Sequence, residues 1–354
     1  MSWSTAPASQ FHAHAARWQA LHAAGAASPL LALEFVTSLL ATFGTGKELL
    51  AWHSTGGETD AMTILTPARF GIWNTFQPSQ APVGIWLQRG TDAPTTLLPG
   101  LLQALPFPAL ALGLTQCDPM LTARPPASAQ AGATRVLDYI DTARITITGS
   151  FDAYWAARGK NLRNNLKKQR RGLADDGVAT RLEVIRAPGQ MAQAIADYGR
   201  LESTGWKGTE GTAVDGSNEQ GRFYQVLLEA FAARDAACVY RYWIGDKVAA
   251  MDLCVEGGGC IVVLKTTYDE QLSKQLSPAL LMREEAVRQL FGASRFERIE
   301  FYGRVMEWHM KWTDEVRTMF HLNLYRSPTL AALHRWAIKL HRARRLPQGP
   351  GLSK

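Results

Sequence analysis

Three consecutive β-type runs in the second half of the chain constrain its fold more than any other feature. They read ACVYRYWIG, KVAAMDLCVEG and GCIVVLKTTYD, and the glycine-rich turns Gly245-Asp246 and 257–259 separate them. The helical run SPALLMREEAVRQLF follows, and then a further β-type run, FERIEFYG. An antiparallel meander that continues through one helix into another strand predicts an α+β fold, with a single crossover beside the meander.

The segments around this meander complete the pattern. A strand (TRLEVIR) and two helices (PGQMAQAIADYGRLEST and EQGRFYQVLLEAFAAR) precede it, and a strand (TMFHLNLYRS) and a basic helix end the chain. The first 150 residues also mix helical and β-type runs, and 117–135, rich in Pro, Ala and Ser, is expected to be a surface loop. A chain of 354 residues exceeds one ordinary core, so we predict domains at 1–149 and 150–327 and a basic helix and tail at 328–354.

One short segment carries as much positive charge as the whole chain has in excess. RGKNLRNNLKKQRRG (158–172) holds seven Lys or Arg and no acid, and the chain has a net charge of +7. We predict a single helix from Phe151 to about Leu173 with Ser150 as its N-cap. One apolar stripe along it would face the core, made of Phe151, Trp155, Leu162, Leu166 and Leu173. The basic residues would face outward, and they are Lys160, Arg163, Lys167, Lys168, Arg170 and Arg171. The pattern fits either a solvated face or a surface for an anionic ligand or partner.

Composition excludes several classes of protein. Hydrophobic residues make up 46% and charged residues 19%, as in globular proteins and unlike disordered ones. No apolar run reaches the ~20 residues of a membrane span, and the N-terminus has no signal-peptide pattern. The four cysteines show no CxxC spacing, and the histidines show no ligand spacing. We therefore expect a cytoplasmic protein with reduced thiols and no metal.

The order of elements resembles that of the GNAT acyltransferase fold, and several short runs resemble its CelD-like subgroup. These runs are SFDAYWAARGKNLRNNLKKQRRGLADDGV, LESTGWKGTEG, VAAMDLCV, YDEQLSKQLSPALLMREEAVRQL and RIEFYGRVMEWHMKW. The likeness covers roughly residues 150–325. The subgroup is related to Fem-type aminoacyl transferases, which carry two GNAT-like domains in one chain. The resemblance thus implies tandem GNAT-like domains, each a twisted mixed sheet flanked by helices, with a degenerate N-terminal domain and a catalytic C-terminal one.

The resemblance also implies an acyl-CoA donor site at the start of the helix after the meander. Ser277 and Pro278 suit the cap and first position of a helix, whose free N–H groups attract phosphate. Typical members cradle the pyrophosphate with Q/R-x-x-G-x-G/A, whereas the equivalent SKQLSPALL has no glycine. That departure allows a looser CoA site or a different donor, and locally the pattern also fits an ordinary capped helix. The expected cofactor-binding residues are Thr266, Thr267, Lys274, Gln275, Leu276, Ser277, Pro278 and Ala279.

Acyl transfer to a nucleophile requires a proton acceptor, donors for the oxyanion and an acid for the leaving thiolate. Tyr302, at the end of the strand after the crossover helix, is the candidate acid. Glu202 and Asp252 are the candidate bases, and a bound water is an equal alternative. Alternation along the strand puts Asp252 on the face opposite Met251. Each of these side chains also fits a purely structural role.

Three further residues are expected to contact substrate. Trp206 and Lys207 lie in the glycine-rich run GWKGTEG, and loops of this kind often close over a substrate. Lys311, beside Trp312, would hold an anionic group. Packing and surface roles remain the alternatives for all three.

The resulting functional prediction is an acyltransferase that uses acetyl-CoA or another acyl-CoA. Its acceptor would be an amine or hydroxyl of a sugar or of an envelope or exopolysaccharide precursor, with anionic character. The alternatives are a Fem-type transferase that uses aminoacyl-tRNA and a catalytically inactive GNAT-fold binding protein.

Overall fold

The computed structural model describes residues 2–130, 132–203, 214, 218–272 and 276–345, with side chains up to residue 337. Its α-helices are α1 (Ala15–Ala24), α2 (Leu33–Phe43), α3 (Leu98–Ala104), α4 (Phe151–Ala156), α5 (Lys160–Asp175), α6 (Met191–Ser203), α7 (Glu219–Ala232), α8 (Pro278–Gly292), α9 (Glu307–Met310) and α10 (Pro328–Arg345). Its strands are β1 (Ser2–Pro7), β2 (Leu49–Thr55), β3 (Glu58–Pro67), β4 (Ile72–Thr75), β5 (Trp86–Gln88), β6 (Ala111–Cys117), β7 (Thr134–Thr146), β8 (Thr180–Ile185), β9 (Ala237–Ile244), β10 (Lys247–Gly257), β11 (Cys260–Tyr268), β12 (Arg298–Phe301) and β13 (Val316–Tyr325).

These strands form one mixed sheet that runs through both halves of the chain. Its order is β1-β2-β3-β4-β6-β13-β7-β12-β11-β10-β9-β8, and β5 pairs with β3 off this path. The pairs β4–β6 and β11–β12 are parallel, and the other pairs are antiparallel. The meander β9–β10–β11 followed by α8 and β12 confirms the predicted crossover and the mixed α+β class.

Two parallel strands of the sheet, β11 and β12, separate along their length. Their pairing runs from Cys260↔Arg298 to Val263↔Phe301, where β12 ends. Strand β11 continues to Tyr268, still paired with β10 on its other side. One edge of β11 is therefore open over 264–268, with backbone hydrogen-bonding groups directed into the gap.

The sheet buries a separate core on each side of the meander. Met251 belongs to the cluster that includes residues of α6 and α7. Ala250 and Cys254 belong to the cluster that includes α5 and α8. The alternation predicted for β10 is correct, and Asp252 faces α8, where Arg283 pairs with it.

The helix predicted over 151–173 is wrong as a single element. The chain leaves α4 after Ala156 and begins α5 at Lys160, with Gly159 in an extended conformation between them. The apolar stripe nevertheless packs into one core as predicted, because both helices lie against it. The prediction that all the basic residues face outward is wrong for Arg170. This side chain turns towards α8 and pairs with Glu284 and Glu285.

Two strand assignments also differ from the prediction. Residues 2–7 form strand β1, which pairs with β2 and was not predicted. The expected surface loop 117–135 ends earlier, because β7 begins at Thr134 and continues for 13 residues. Strand β7 lies between β12 and β13, so the sheet would be interrupted without it.

Candidate active site

A cleft of about 720 Å³ opens where β11 and β12 separate. The open edge of β11 forms one wall, and the first turns of α8 form another. The segment that follows β12 closes the third side with the aromatic rings of Tyr302, Trp308 and Trp312. The cleft therefore combines exposed backbone groups, a helix start and an apolar aromatic wall, which is the composition of a ligand-binding site.

A buried ion pair lies beside this cleft. Arg283 of α8 lines the cleft although it is only 3% exposed. Its Nη1 lies 2.6 Å from Asp252 Oδ2, and its Nη2 donates to Asp252 Oδ1 and Thr266 Oγ1. The Thr266 hydroxyl donates to the same carboxylate at 2.6 Å. Burial raises the pKa of Asp252, while the charge of Arg283 and the Thr266 hydroxyl oppose that rise.

Arg283 was missed in the sequence, although a signal was present. It stands four residues before Val287, a buried residue of the same helix, so it lies on the inward stripe of α8. An arginine on a buried stripe needs a charged partner. Asp252, an acid within an apolar strand, is that partner.

The candidate acid Tyr302 lines the cleft, and its hydroxyl donates to Asp118 Oδ2 at 2.7 Å. Asp118 comes from the N-terminal half and also accepts two hydrogen bonds from Arg317. Burial first, and then the negative charge of Asp118, raises the pKa of Tyr302 well above its ordinary value. The phenol is therefore neutral at pH 7. Its part in proton transfer stays a prediction.

The two candidate bases lie behind the residues that line the cleft. Asp252 has no exposed surface. It is hydrogen-bonded to Arg283 and Thr266, and these two residues line the cleft. Glu202, at the end of α6, accepts the Val214 N–H at 2.7 Å. Its other carboxylate oxygen lies 3.7 Å from Nζ of Lys265, which does line the cleft. Their role as bases also stays a prediction.

The expected cofactor-binding residues divide into three groups. Thr266 and the run 276–279 line the cleft. Thr267 is buried on the same strand without lining it. Lys274 and Gln275 lie outside the described residues, as do Trp206 and Lys207 of the expected substrate loop.

Lys311 is exposed just beyond α9 and does not line the cleft. Its neighbour Trp312 is fully buried and does line it. Contact between Lys311 and a substrate therefore stays a prediction.

The basic helix α5 packs directly on the start of α8. Ser277, the N-cap residue of α8, makes no side-chain capping bond, and its N–H donates to Gln169 Oε1 at 2.8 Å. Gln169 is buried, and the adjacent Arg170 pairs with two glutamates of α8. One of the donors expected for a phosphate is thus already engaged by α5.

A histidine that the sequence did not single out also lines the cleft. His309 is 4% exposed, stacks on Trp308 with ring centroids 3.5 Å apart, and accepts the Met306 N–H at Nδ1. Burial and the charge of Arg283 lower the pKa of His309 to about 4. The ring is therefore neutral at pH 7 with its proton on Nε2, which makes it a hydrogen-bond donor.

Residues 160–310 match the model of the acetyltransferase (GNAT) domain family, a span that is less than half of the chain. No curated protein matches the sequence. This domain, with its cleft at the separating strands, defines the chain as an acyltransferase. The subgroup suggested by the sequence resemblance stays a prediction.

Solved structures of low sequence identity share the fold. FemX is 9% identical with a TM-score of 0.56, covering 86% of this chain and 94% of its own. A conserved protein from Bacteroides thetaiotaomicron is 10% identical with a TM-score of 0.55, covering 92% and 99%. The C-terminal domain of a protein described as a lysylphosphatidylglycerol synthetase, from Agrobacterium fabrum, is 13% identical with a TM-score of 0.51, covering 84% and 90%.

The described residues contain neither a membrane-spanning helix nor a cluster of metal ligands. None of their helices has the length and apolarity needed to cross a membrane. They also contain no group of three or more His, Cys, Asp or Glu arranged to hold a metal ion.

Proposed function

We propose that the chain transfers an acyl group, with acetyl as the first candidate, from a CoA thioester to an amine or hydroxyl. The observation that carries this proposal is the open edge of β11 over 264–268, which faces a cleft with the start of α8 at its side. An extended, amide-rich arm can pair with such an edge as an added strand does. The helix start would then receive phosphate groups.

In this proposal the nucleophile attacks the thioester carbonyl directly, and the open backbone N–H groups of β11 stabilise the oxyanion. His309 supplies a further neutral N–H donor on the opposite wall. Tyr302 protonates the departing thiolate, and a bound water removes the proton of the nucleophile. Asp252 acts as a positioning group, because it holds the guanidinium of Arg283 at the cleft.

The proposed acceptor is a sugar or an envelope or exopolysaccharide precursor of anionic character, in the cytoplasm. The exposed cations of α5 support an anionic acceptor, because this helix lies against the cleft wall. Gln169 of α5 accepts the N–H of Ser277, which lines the cleft. Lys167 and Lys168 are exposed there, and the exposed Arg171 pairs with Asp175 of the same helix.

A Fem-type transfer from aminoacyl-tRNA is the second candidate. The contact between Gln169 and the Ser277 N–H favours it, since that contact engages a donor that a CoA pyrophosphate would use. The likeness to FemX is a likeness of fold, and it supports this candidate only to that extent.

The deciding experiment is thermal unfolding with acetyl-CoA, free CoA or aminoacyl-tRNA. At a hundredfold excess over Kd, a ligand should raise the Tm of a chain of this size by about 3–4 °C. Ala279→Phe would fill the cleft wall at α8, whereas Ala192→Phe adds the same ring at an exposed site on α6. We expect acetyl-CoA to stabilise the unchanged protein and Ala192→Phe but not Ala279→Phe.

The other outcomes separate the alternatives. Stabilisation by aminoacyl-tRNA alone would favour the Fem-type reaction. No response to any donor would contradict both transfer reactions and leave a binding protein. Release of free thiol from acetyl-CoA on addition of an amino sugar would test the acceptor class independently.

A further inference from the structure

Among the side chains that the structure describes outside the cleft, four large apolar ones are the most exposed. Phe107 is 87% exposed, Phe70 86%, Trp336 63% and Leu333 56%. Isolated exposed apolar residues are common, but a group of them at one place marks an interaction surface. We call these four residues the aromatic edge.

The topology brings the segments of the aromatic edge together. Strands β4 and β6 begin side by side at Ile72↔Ala111, and β13 ends against the same residue at Tyr325↔Ala111. The Leu110 N–H donates to Gly71 O at 2.7 Å, and the Arg326 N–H donates to Leu110 O at 2.8 Å. The loops that carry Phe70 and Phe107 therefore meet the residues that lead into α10, and Leu333 and Trp336 follow on the second and third turns of that helix.

The backbone holds the ring of Phe70 in solvent through a conformation that is energetically unfavourable. Phe70 has φ 60° and ψ 36°, a left-handed conformation that is unfavourable for an aromatic residue. The next residue, Gly71, also has a positive φ, and a Cβ there would lie 2.2 Å from the Pro108 carbonyl oxygen. The loop is thus locked against its neighbour with the ring of Phe70 in solvent. Conformational strain of this kind is retained where a function requires it.

The chain segments that carry the aromatic edge contain charges of one sign. The segments 68–75, 104–117 and 316–354 contain no Asp or Glu. The same segments contribute three exposed arginines, namely Arg69 next to Phe70, Arg326 just before α10, and Arg335 next to Trp336. Such a surface is complementary to a negatively charged one.

We propose that the aromatic edge is a membrane-docking surface that binds the headgroup region of anionic lipids. Its apolar residues project from loops and from one face of α10, so they suit insertion into a soft interface better than a fit to a rigid groove. Phe, Trp and Leu next to cations, without acids, are the composition of interfacial membrane contacts. Arginines near an anionic leaflet add to the attraction and make it sensitive to salt.

The test is sedimentation of the full chain with lipid vesicles. We expect binding to phosphatidylcholine vesicles that carry about one third phosphatidylglycerol, and binding weaker by about tenfold or more to phosphatidylcholine alone or at high salt. The triple variant Phe70→Asn, Phe107→Ser and Trp336→Ser should lose binding to anionic vesicles by about tenfold or more. Asn is chosen at 70 because it tolerates the left-handed conformation.

The matched control is Val226→Ser, which removes another exposed apolar side chain, 49% exposed on α7. It should bind vesicles like the unchanged protein. The triple variant should keep its far-ultraviolet spectrum and Tm, because its rings are in solvent. Failure to bind anionic vesicles, or equal binding by the triple variant, would overturn the proposal. A dimer in solution that the triple variant abolishes would also overturn it, because a second copy would then cover the edge.

Discussion

Replacing His309 with Gln would remove a buried titratable ring from the cleft and keep the hydrogen bond that the ring accepts. His309 occupies the third position of α9 and accepts the Met306 N–H at 3.0 Å. Gln commonly accepts the same bond from that position of a helix. The variant therefore isolates the effect of titration on stability.

The sign of the effect follows from the lowered pKa of His309. Burial and the charge of Arg283 reduce that pKa from an ordinary value of 6.5 to about 4. Between these values the unfolded chain binds a proton and the folded chain does not, so stability is lost as the pH falls from 6.5 towards 4. The full difference corresponds to about 3 kcal/mol, of which about 2 kcal/mol is lost by pH 5.

Urea unfolding at pH 7 and pH 5, followed by tryptophan fluorescence, measures this loss. Carboxylates titrate in every variant, so the quantity of interest is the difference between proteins. We expect His309→Gln to lose about 2 kcal/mol less than the unchanged protein between the two pH values. His12→Gln, at an exposed histidine, should behave like the unchanged protein. Equal pH dependence in the unchanged protein and His309→Gln would refute the reasoning.

Three other predictions concern the cleft and the helix beside it. Tyr302→Phe should lower kcat about 100-fold or more if the phenol protonates the thiolate, and a loss below about tenfold would assign it to packing alone. Asp252→Asn should lower the free energy of unfolding in urea by about 3 kcal/mol, because it leaves the buried cation of Arg283 unpaired. Adding Arg283→Met should recover much of that loss, and no recovery would contradict the argument that the two residues pair. Arg170→Ala should cost about 1–2 kcal/mol of unfolding free energy because it contacts two glutamates, whereas Lys167→Ala, exposed on the same helix, should stay within about 0.5 kcal/mol, and equal effects would contradict the assigned contacts.

The elements of the second half were predictable because each has a strong local signal. Turn glycines separate the meander strands, and Ser277-Pro278 marks the start of α8. The break between α4 and α5 was not predictable from periodicity, since the apolar stripe continues across it. Strand β1 has no periodic apolar pattern, and its pairing with β2 depends on tertiary contact that a local pattern does not encode.

The candidate site was predictable in its location and less so in its contacts. Thr266 and the run 276–279 line the cleft because the crossover places a strand end beside a helix start. The bond from Ser277 to Gln169 joins residues 108 positions apart, and the pair of Asp252 and Arg283 joins two elements. Such partners are determined by how the helices and strands pack. Their separation along the chain follows no regular pattern, so the sequence alone does not reveal them.

Asp118, in the N-terminal half, contacts a residue that lines the cleft. Asp118 follows β6, yet it accepts the hydroxyl of Tyr302 and two bonds from Arg317 of β13. Arg317 also lies 2.8 Å from Glu300, whose pKa is raised by burial. Removing Asp118 would leave Tyr302 without its acceptor and the arginine with one carboxylate fewer. A residue of the N-terminal half therefore raises the pKa of Tyr302, in addition to the effect of burial, and holds its hydroxyl in position.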